Sequence, residues 1–114
     1  METKNRYIKT RKIHTASELE KKIEAKFRDK IKSLGGRALK FISPGNTGVP
    51  DRLVILPGNK IGFAELKRPG GKTTKLQDRQ ISFIKKLGCF VMVVDSEEKI
   101  DKFIERLQKN GTII

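Results

Sequence analysis

The stretch GVPDRLVILPGNKIGFAELK, from Gly48 to Lys67, decides the fold of this chain. Two apolar runs, LVIL and IGFA, stand on either side of Pro-Gly-Asn, and such a tripeptide between β-prone runs predicts a hairpin turn. With the turn centred near Gly58, Asp51 lies seven residues before it and Glu65 seven residues after it. An antiparallel register about this turn places the two carboxylates opposite each other, with their Cβ atoms ~5 Å apart.

Lys67 lies on the same strand face as Glu65, and Leu66 points into the core, because side chains alternate along a strand. Two adjacent carboxylates repel unless a cation lies between them, and oxygen ligands with open water positions suit Mg²⁺ or Mn²⁺. Such an ion polarises a phosphodiester and lowers the pKa of a water molecule. Lys67 can hold that water or stabilise the developing negative charge. The pattern predicts a metal-dependent phosphodiesterase site, and the alternative is an exposed cross-strand ion pair.

Pro50-Asp51 followed by Glu65-Leu66-Lys67 resembles the PD-(D/E)xK nuclease signature. More narrowly, the run SPGNTGVPDRLVILPGNKIGFAELKRPGGKTTKLQ is similar to the virus-type replication–repair nuclease (VRR-NUC) family, over about residues 20–94. The resemblance implies a homodimeric, structure-selective DNA endonuclease acting on branched DNA such as four-way (Holliday) junctions. It also implies that the Leu66 carbonyl completes the metal ligands. A two-fold junction gives a reason for the dimer, because paired cuts need two sites.

The first helix carries two candidate acids. Ser17 fits the capping-box pattern S-x-x-E and predicts a helix over residues 17–34. Its buried stripe is predicted to be Leu19, Ile23, Phe27, Ile31 and Leu34. Glu20 and Glu24 both fall near the edge of this stripe, and capping accounts for Glu20 without a metal. The spacing of Glu24 matches the first-helix acid of related PD-(D/E)xK resolvases, which implies action through an outer water. Glu24 is the preferred candidate for the acid that the first helix contributes to the site, and Glu20 remains the alternative.

The second helix is predicted over residues 74–87, with Gln77 in its first turn. An amide there can donate to a phosphate or a bound water, and the resemblance makes Gln77 the motif glutamine that orients the site. The alternative is a solvent-facing residue, and Gln80 is the competing glutamine one turn later. The apolar positions of this helix are Leu76, Ile81, Phe83, Ile84 and Leu87.

The charge of the chain favours a polyanionic partner. The 114 residues include 26 Lys and Arg against 13 Asp and Glu, which gives a net charge of +13. Between residues 66 and 87 there are seven basic residues and one acid, so cations surround the carboxylates. Such a surface attracts nucleic acid to an acidic centre. The candidate nucleic-acid contacts are Lys40, Arg68, Lys72 and Lys75.

Other composition features narrow the function. His14 is the only histidine, which disfavours a histidine-based metal site or an RNA-directed nuclease of the same fold. The single cysteine, Cys89, is expected to be a small buried residue. No apolar stretch approaches the ~18 residues of a membrane span. We therefore expect a soluble intracellular protein, cytoplasmic or nucleoid-associated, in a bacterial or phage-infected cell.

The predicted fold is a single α/β domain over residues 15–114 with the order αβββαβα, a central mixed sheet and flanking helices. This is the arrangement that the resemblance implies for a PD-(D/E)xK core. A basic arm over residues 1–14 precedes it, and residues 111–114 are expected to form an interface or an added edge strand. Strands are predicted at 37–42, 53–56, 61–64 and 89–94, and a last helix at 96–109. The rival functions are a non-catalytic DNA-binding module of the same fold and a nuclease acting on flaps or linear DNA.

Overall fold

A computed structural model describes residues 15–110, and it has the predicted αβββαβα order. The helices are α1 (Ala16–Ser33), α2 (Lys75–Lys86) and α3 (Glu97–Asn110). The strands are β1 (Arg37–Lys40), β2 (Arg52–Leu56), β3 (Lys60–Leu66) and β4 (Phe90–Val94). The predicted basic arm over residues 1–14 and the predicted edge strand or interface at 111–114 lie outside the described residues.

The four strands form one mixed sheet in the order β1-β2-β3-β4. The first two pairings are antiparallel and the third is parallel, as predicted for this fold class. The β2–β3 hairpin has the predicted register, because its ladder runs from Leu56↔Lys60 to Arg52↔Ala64. Its turn contains Gly58 at φ 87° and Asn59 at φ 64°, the left-handed conformation that these residue types tolerate.

One face of the sheet packs against α1 and α3 and forms the main core. The edge-to-face contact of Phe27 and Phe103, with ring centroids 5.2 Å apart, joins the two helices. Gly36 allows the chain to turn tightly after α1, since a Cβ there would lie 2.5 Å from the Ile55 carbonyl oxygen. The buried core side chains are Ile23, Phe27, Ile31, Val54, Leu56, Ala64, Leu66, Val94, Ile100, Phe103 and Leu107.

Helix α2 lies on the other side of the sheet, within the β3–α2–β4 crossover, and contacts β4. Of the apolar positions of this segment, Ile81 is the one that is buried. Leu76, Phe83 and Leu87 are exposed, because α2 covers only the β4 side of this face. Cys89 is exposed as well, contrary to expectation, because it lies in the connection just before β4.

Three further details differ from the sequence predictions. The N-cap of α1 is Thr15, whose hydroxyl accepts from the Glu18 N–H, and not Ser17. The sequence TASE fits the capping box two residues earlier than SELE. The continuous apolar run of residues 89–94 predicts a strand buried on both faces. Strand β4 is instead an edge strand, and three of its five residues are only half-buried. Leu34, placed in the buried stripe of α1, is exposed where the helix ends.

None of the helices within residues 15–110 is both long enough and apolar enough to cross a bilayer.

Candidate active site

The hairpin brings the two predicted carboxylates together at the open end of the sheet. Continuing the β2–β3 register by one pair beyond Arg52↔Ala64 sets Asp51 opposite Glu65. The Leu66 N–H donates to Asp51 Oδ2 at 2.9 Å, which fixes the Asp51 side chain against β3. Glu65 is 1% exposed, although it is an ionisable residue at the end of a strand. The site therefore pairs a buried glutamate with a half-buried aspartate, and burying such acidic groups is costly without a compensating group.

Gln77 connects α2 to this pair. Its side-chain oxygen accepts from the Thr74 N–H at 3.0 Å, which completes a capping box at the start of α2. Its Nε2 then donates to Glu65 Oε2 at 3.0 Å. These two contacts fix the orientation of the amide and hold one oxygen of Glu65 in place. Gln80, the competing glutamine, donates instead to the Thr47 carbonyl oxygen.

Lys67 and the burial of Glu65 determine the charge of the site. The Lys67 Nζ lies 3.5 Å from Glu65 Oε2, so the amine and the carboxylate share one strand face as predicted. Burial, followed by the negative charge of Asp51, raises the pKa of Glu65 to about 7, and Lys67 opposes this rise. Burial also raises the pKa of Asp51, while the Leu66 N–H lowers it. The environment of the folded protein thus disfavours the negatively charged form of both carboxylates.

The residues of this site fit a divalent cation. Glu65 Oε1 is buried and has no hydrogen-bond partner among the described residues. A bound cation or a water molecule could satisfy a buried carboxylate oxygen of this kind. Within residues 15–110, no three His, Cys, Asp or Glu side chains form a metal-binding group. An ion bound to Asp51 and Glu65 would therefore need backbone or water ligands as well, which suits Mg²⁺.

A cleft of about 370 Å³ lies beside the acidic pair, where α1 and the segment after β3 approach each other. Glu20, Glu24 and Arg68 line it together with Lys21. The charge of Glu24 contributes to raising the pKa of Asp51, which places Glu24 within electrostatic reach of the site. Glu20 is not among the groups that affect that pKa. Neither glutamate contacts the acidic pair directly.

The four candidate nucleic-acid contacts are all exposed. Lys40 ends β1 opposite Arg52, Arg68 follows Lys67, and Lys75 begins α2. Lys72 lies in the loop between β3 and α2.

Arg52 was not singled out from the sequence. It is 9% exposed, its Nη1 donates to the Ala38 carbonyl oxygen at 3.1 Å, and its charge lowers the pKa of Asp51. The sequence feature that could have identified Arg52 is a basic residue at a core-facing strand position directly after Asp51.

Comparison with known proteins agrees with this geometry. No protein-family model matches the chain. A curated protein of Acyrthosiphon pisum secondary endosymbiont phage 1, named "Putative nuclease p44", is 47% identical over 79 residues, which cover 69% of this chain and 85% of that protein. A solved structure described as a VRR_NUC domain aligns with a TM-score of 0.70 and 36% identity, covering 75% of this chain and 94% of that one.

Proposed function

The chain belongs to the VRR-NUC nuclease family, and from that premise we propose that it is a Mg²⁺- or Mn²⁺-dependent endonuclease of branched DNA. The observation that carries the proposal is the pairing of half-buried Asp51 with buried Glu65, in which Glu65 Oε1 has no partner within the described residues. An acidic pair that is costly to bury, beside a lysine amine and within a basic surface, suits phosphodiester hydrolysis better than it suits stability.

Asp51 and Glu65 would hold the ion, with the Leu66 carbonyl as a third ligand. The Leu66 N–H points towards Asp51, and the N–H and C=O groups of one extended residue face the same neighbouring strand. The carbonyl is therefore expected on the side of the carboxylates. Glu24, which is half-buried in the adjacent cleft, would act through an outer water.

When bound, the ion supplies polarisation of the scissile phosphate and a lower pKa for the attacking water. Lys67 orients that water through its amine and places a positive charge where negative charge develops on the phosphate. Gln77 keeps Glu65 Oε2 fixed, so that the carboxylate does not rotate away from the ion.

Exposed cations would attract and align the DNA backbone around this centre. Lys40, Arg68, Lys72 and Lys75 lie on segments that border the carboxylates, and each can neutralise a phosphate. Selectivity for a four-way junction and a homodimeric state form part of the proposal, because one small domain offers one site and paired cuts across a two-fold junction need two. We place this activity in a bacterial cell or a phage-infected host.

The second candidate function is a non-catalytic DNA-binding module with the same basic surface. The unpartnered Glu65 oxygen argues against it, because a module that only binds DNA has no use for a buried carboxylate pair. A nuclease that cuts flaps or linear duplexes would use the same site and differs only in substrate geometry.

The deciding experiment measures cleavage of labelled four-way junction, flap, linear duplex and RNA substrates with Mg²⁺ or Mn²⁺. We expect junction cleavage by the wild type, and a rate lower by roughly 100-fold or more in Asp51→Ala and Lys67→Ala. A wild type that binds junctions but cuts nothing with either ion would establish the binding module instead.

The two glutamines of α2 provide a matched pair for the proposed role of Gln77. Gln77→Ala should reduce the cleavage rate and the metal affinity by roughly 10-fold or more, because Glu65 Oε2 loses its donor. Gln80→Ala removes the same side chain one turn later, where the partner is Thr47, and should leave the metal affinity unchanged. Equal effects of the two substitutions on metal affinity would reject the assigned role.

A further inference from the structure

One exposed face of α2 combines an aromatic ring with three cations. A cleft of about 400 Å³ runs along this face, and it is lined by Lys75, Asp78, Arg79, Ser82, Phe83 and Lys86. These residues recur at spacings of three and four, so they share one side of the helix. All six are exposed. We refer to this group of residues as the α2 cleft.

Phe83 differs from the other phenylalanines within residues 15–110. The other five each make an edge-to-face contact with another phenylalanine ring, whereas Phe83 makes none. Its side chain is 59% exposed and lies about 160° around the helix axis from Ile81, the buried position of α2. A single exposed apolar side chain is ordinary, so the significance of Phe83 depends on the charges around it.

The cations of the α2 cleft are not neutralised by acids of the described chain. None of Lys75, Arg79 and Lys86 forms an ion pair with another residue of 15–110. The acid of the cleft, Asp78, accepts a hydrogen bond from the Thr73 hydroxyl and lies about 140° around the helix from the ring. The ring is therefore bordered by positive charge, which favours a polyanion as the occupant.

An aromatic ring among cations suits an unpaired strand better than a duplex. The bases of a duplex are stacked within it, and a protein holds its outer phosphates with polar and charged groups. A single strand exposes its bases, and proteins bind it by stacking those bases on aromatic side chains beside a positively charged groove. The volume of the cleft lies within the ~300–1,000 Å³ of sites that accept small organic groups, so one base fits there.

The α2 cleft begins next to the proposed active site. Lys75, at its start, is two residues from Gln77, whose amide donates to Glu65. Phe83 lies six residues beyond Gln77, which is ~9 Å along the helix axis. One nucleotide of a stacked strand advances ~3.4 Å. A strand that leaves the carboxylates along α2 therefore reaches the ring within about three or four nucleotides.

We propose that the α2 cleft binds an unpaired DNA strand, with one base stacked on Phe83 and the neighbouring phosphates held by Lys75, Arg79 and Lys86. The inference rests on the proposed nuclease function, because it takes this strand to be part of the DNA substrate. It adds a substrate feature to that function. Among branched DNAs, those with unpaired nucleotides beside the branch gain a contact that fully paired DNA does not make.

The first test measures DNA binding by the whole chain in chelator, so that nothing is cut. Fluorescence anisotropy compares a labelled oligothymidine with a fully paired duplex of equal length. Phe83→Ala should weaken binding of the single strand by roughly 5- to 100-fold, the effect of losing one stacked base. Binding of the duplex should not change, because its bases do not reach the ring.

Two further variants are the controls for this measurement. Phe83→Tyr keeps an aromatic ring and should bind the single strand as the wild type does. Leu34→Ala removes an exposed apolar side chain at the end of α1 and should leave binding of both DNAs unchanged. Far-UV circular dichroism verifies that each variant is folded.

Stacking can also be observed directly, because the sequence contains no tryptophan. Phe83→Trp introduces a single indole into the α2 cleft, and a base stacked on it quenches its fluorescence. We expect quenching by the oligothymidine and none by the duplex. Adding Arg79→Ala should reduce the magnitude of the slope of log K against log salt concentration by about 0.7, the contribution of one phosphate of a single strand.

Equal binding of the single strand by Phe83→Ala and Leu34→Ala, or no quenching in Phe83→Trp, would overturn the inference. Binding to vesicles that contain anionic lipid, without binding to the oligothymidine, would overturn it too, because the basic face then suits a membrane surface. A wild type that binds the strand through Phe83 but cuts no DNA with Mg²⁺ or Mn²⁺ would refute the nuclease function and leave the cleft standing. Normal strand binding by Phe83→Ala, with a wild type that cuts DNA, would overturn the cleft alone.

Discussion

Glu65 is the residue at which stability and the proposed activity conflict. It is almost fully buried, one of its oxygens has no partner within the described residues, and burial raises its pKa to about 7. The folded protein therefore binds a proton at Glu65 more tightly than the unfolded chain, whose ordinary value is 4.5. As the pH rises from 4.5 to above 7, the folded state loses this protonation advantage and the free energy of unfolding falls.

Glu65→Gln should therefore stabilise the metal-free protein at alkaline pH. The substitution keeps an acceptor for Gln77 and removes the buried charge. At pH 8 we expect a gain of roughly 1–3 kcal/mol, equivalent to a melting temperature higher by about 4 °C or more. Below pH 4.5 the gain should nearly vanish, because Glu65 is then protonated in both states. Thermal unfolding in chelator between pH 4 and 8 measures this dependence.

Glu97→Gln is the control for this pH dependence. Glu97 lies exposed against Lys26, which lowers its pKa, so that its charge favours the folded state above its ordinary pKa. Its replacement should bring no stability gain at pH 8. A gain that does not depend on pH in Glu65→Gln, or an equal gain in Glu97→Gln, would contradict the pKa assigned to Glu65.

At the scale of elements, the start of α2 links helix formation to the carboxylates. The Thr74 hydroxyl accepts from the Gln77 N–H at 3.1 Å, and the Gln77 side chain accepts from the Thr74 N–H in return. The same amide then donates to Glu65. A local capping box thus fixes a side chain that also belongs to the site, which is why Gln77 is only half-buried yet tightly held.

The two capping boxes of the protein allow this coupling to be measured. Thr74→Ala and Thr15→Ala each remove an N-cap hydroxyl and should lower the free energy of unfolding by about 1 kcal/mol. Only Thr74→Ala should also reduce the metal affinity, by roughly 10-fold, because only its helix holds Glu65. Calorimetric titration with Mn²⁺ and denaturant unfolding distinguish the two effects. An unchanged metal affinity in Thr74→Ala would show that α2 does not position Glu65.

At the scale of the whole molecule, the cations are not equivalent. Several pair with acids on α3, for example Lys26 with Glu97 and Lys30 with Asp101, where α1 meets α3. The candidate nucleic-acid contacts have no ion pair among the described residues and border the site. The end of α1 lies far from them, since Gly35 approaches Pro57 in the hairpin turn. The net charge of +13 is therefore distributed unevenly, with these four cations, which lack an ion pair among the described residues, on the side of the site.

This uneven distribution of charge predicts a specific salt dependence of DNA binding. If Lys40, Arg68, Lys72 and Lys75 each neutralise a phosphate, log K should fall with log salt concentration with a slope of about −4. Replacing one of the four by alanine should reduce the magnitude of this slope by about 1. Lys32→Ala, at the end of α1, should leave it unchanged. Fluorescence anisotropy with a labelled junction in chelator measures the slope, and equal losses in both kinds of variant would reject this footprint.

The sequence alone determined the hairpin and the meeting of Asp51 with Glu65. The reason is that a tight turn fixes the register of the strands that it joins, so spacing along the chain becomes distance across the sheet. The placement of Lys67 beside Glu65 follows from strand alternation in the same way. The element order and the mixed sheet were likewise predicted from periodicity and turn residues, and the structure confirms them.

Only the tertiary structure decided which surfaces are covered. Leu76, Phe83, Leu87 and Cys89 look like core residues in the sequence, yet they are exposed because α2 packs mainly against β4 and reaches β3 through Gln77. The contact between Gln77 and Glu65 also depends on how the crossover helix docks, which no local spacing fixes. Local sequence patterns specify the secondary structure of a segment and its apolar positions. The docking of the elements determines which of those positions are covered by other residues. For this reason the meeting of Asp51 with Glu65 was predictable from the sequence. The burial of Glu65, whose Oε1 has no partner within the described residues, was not predictable.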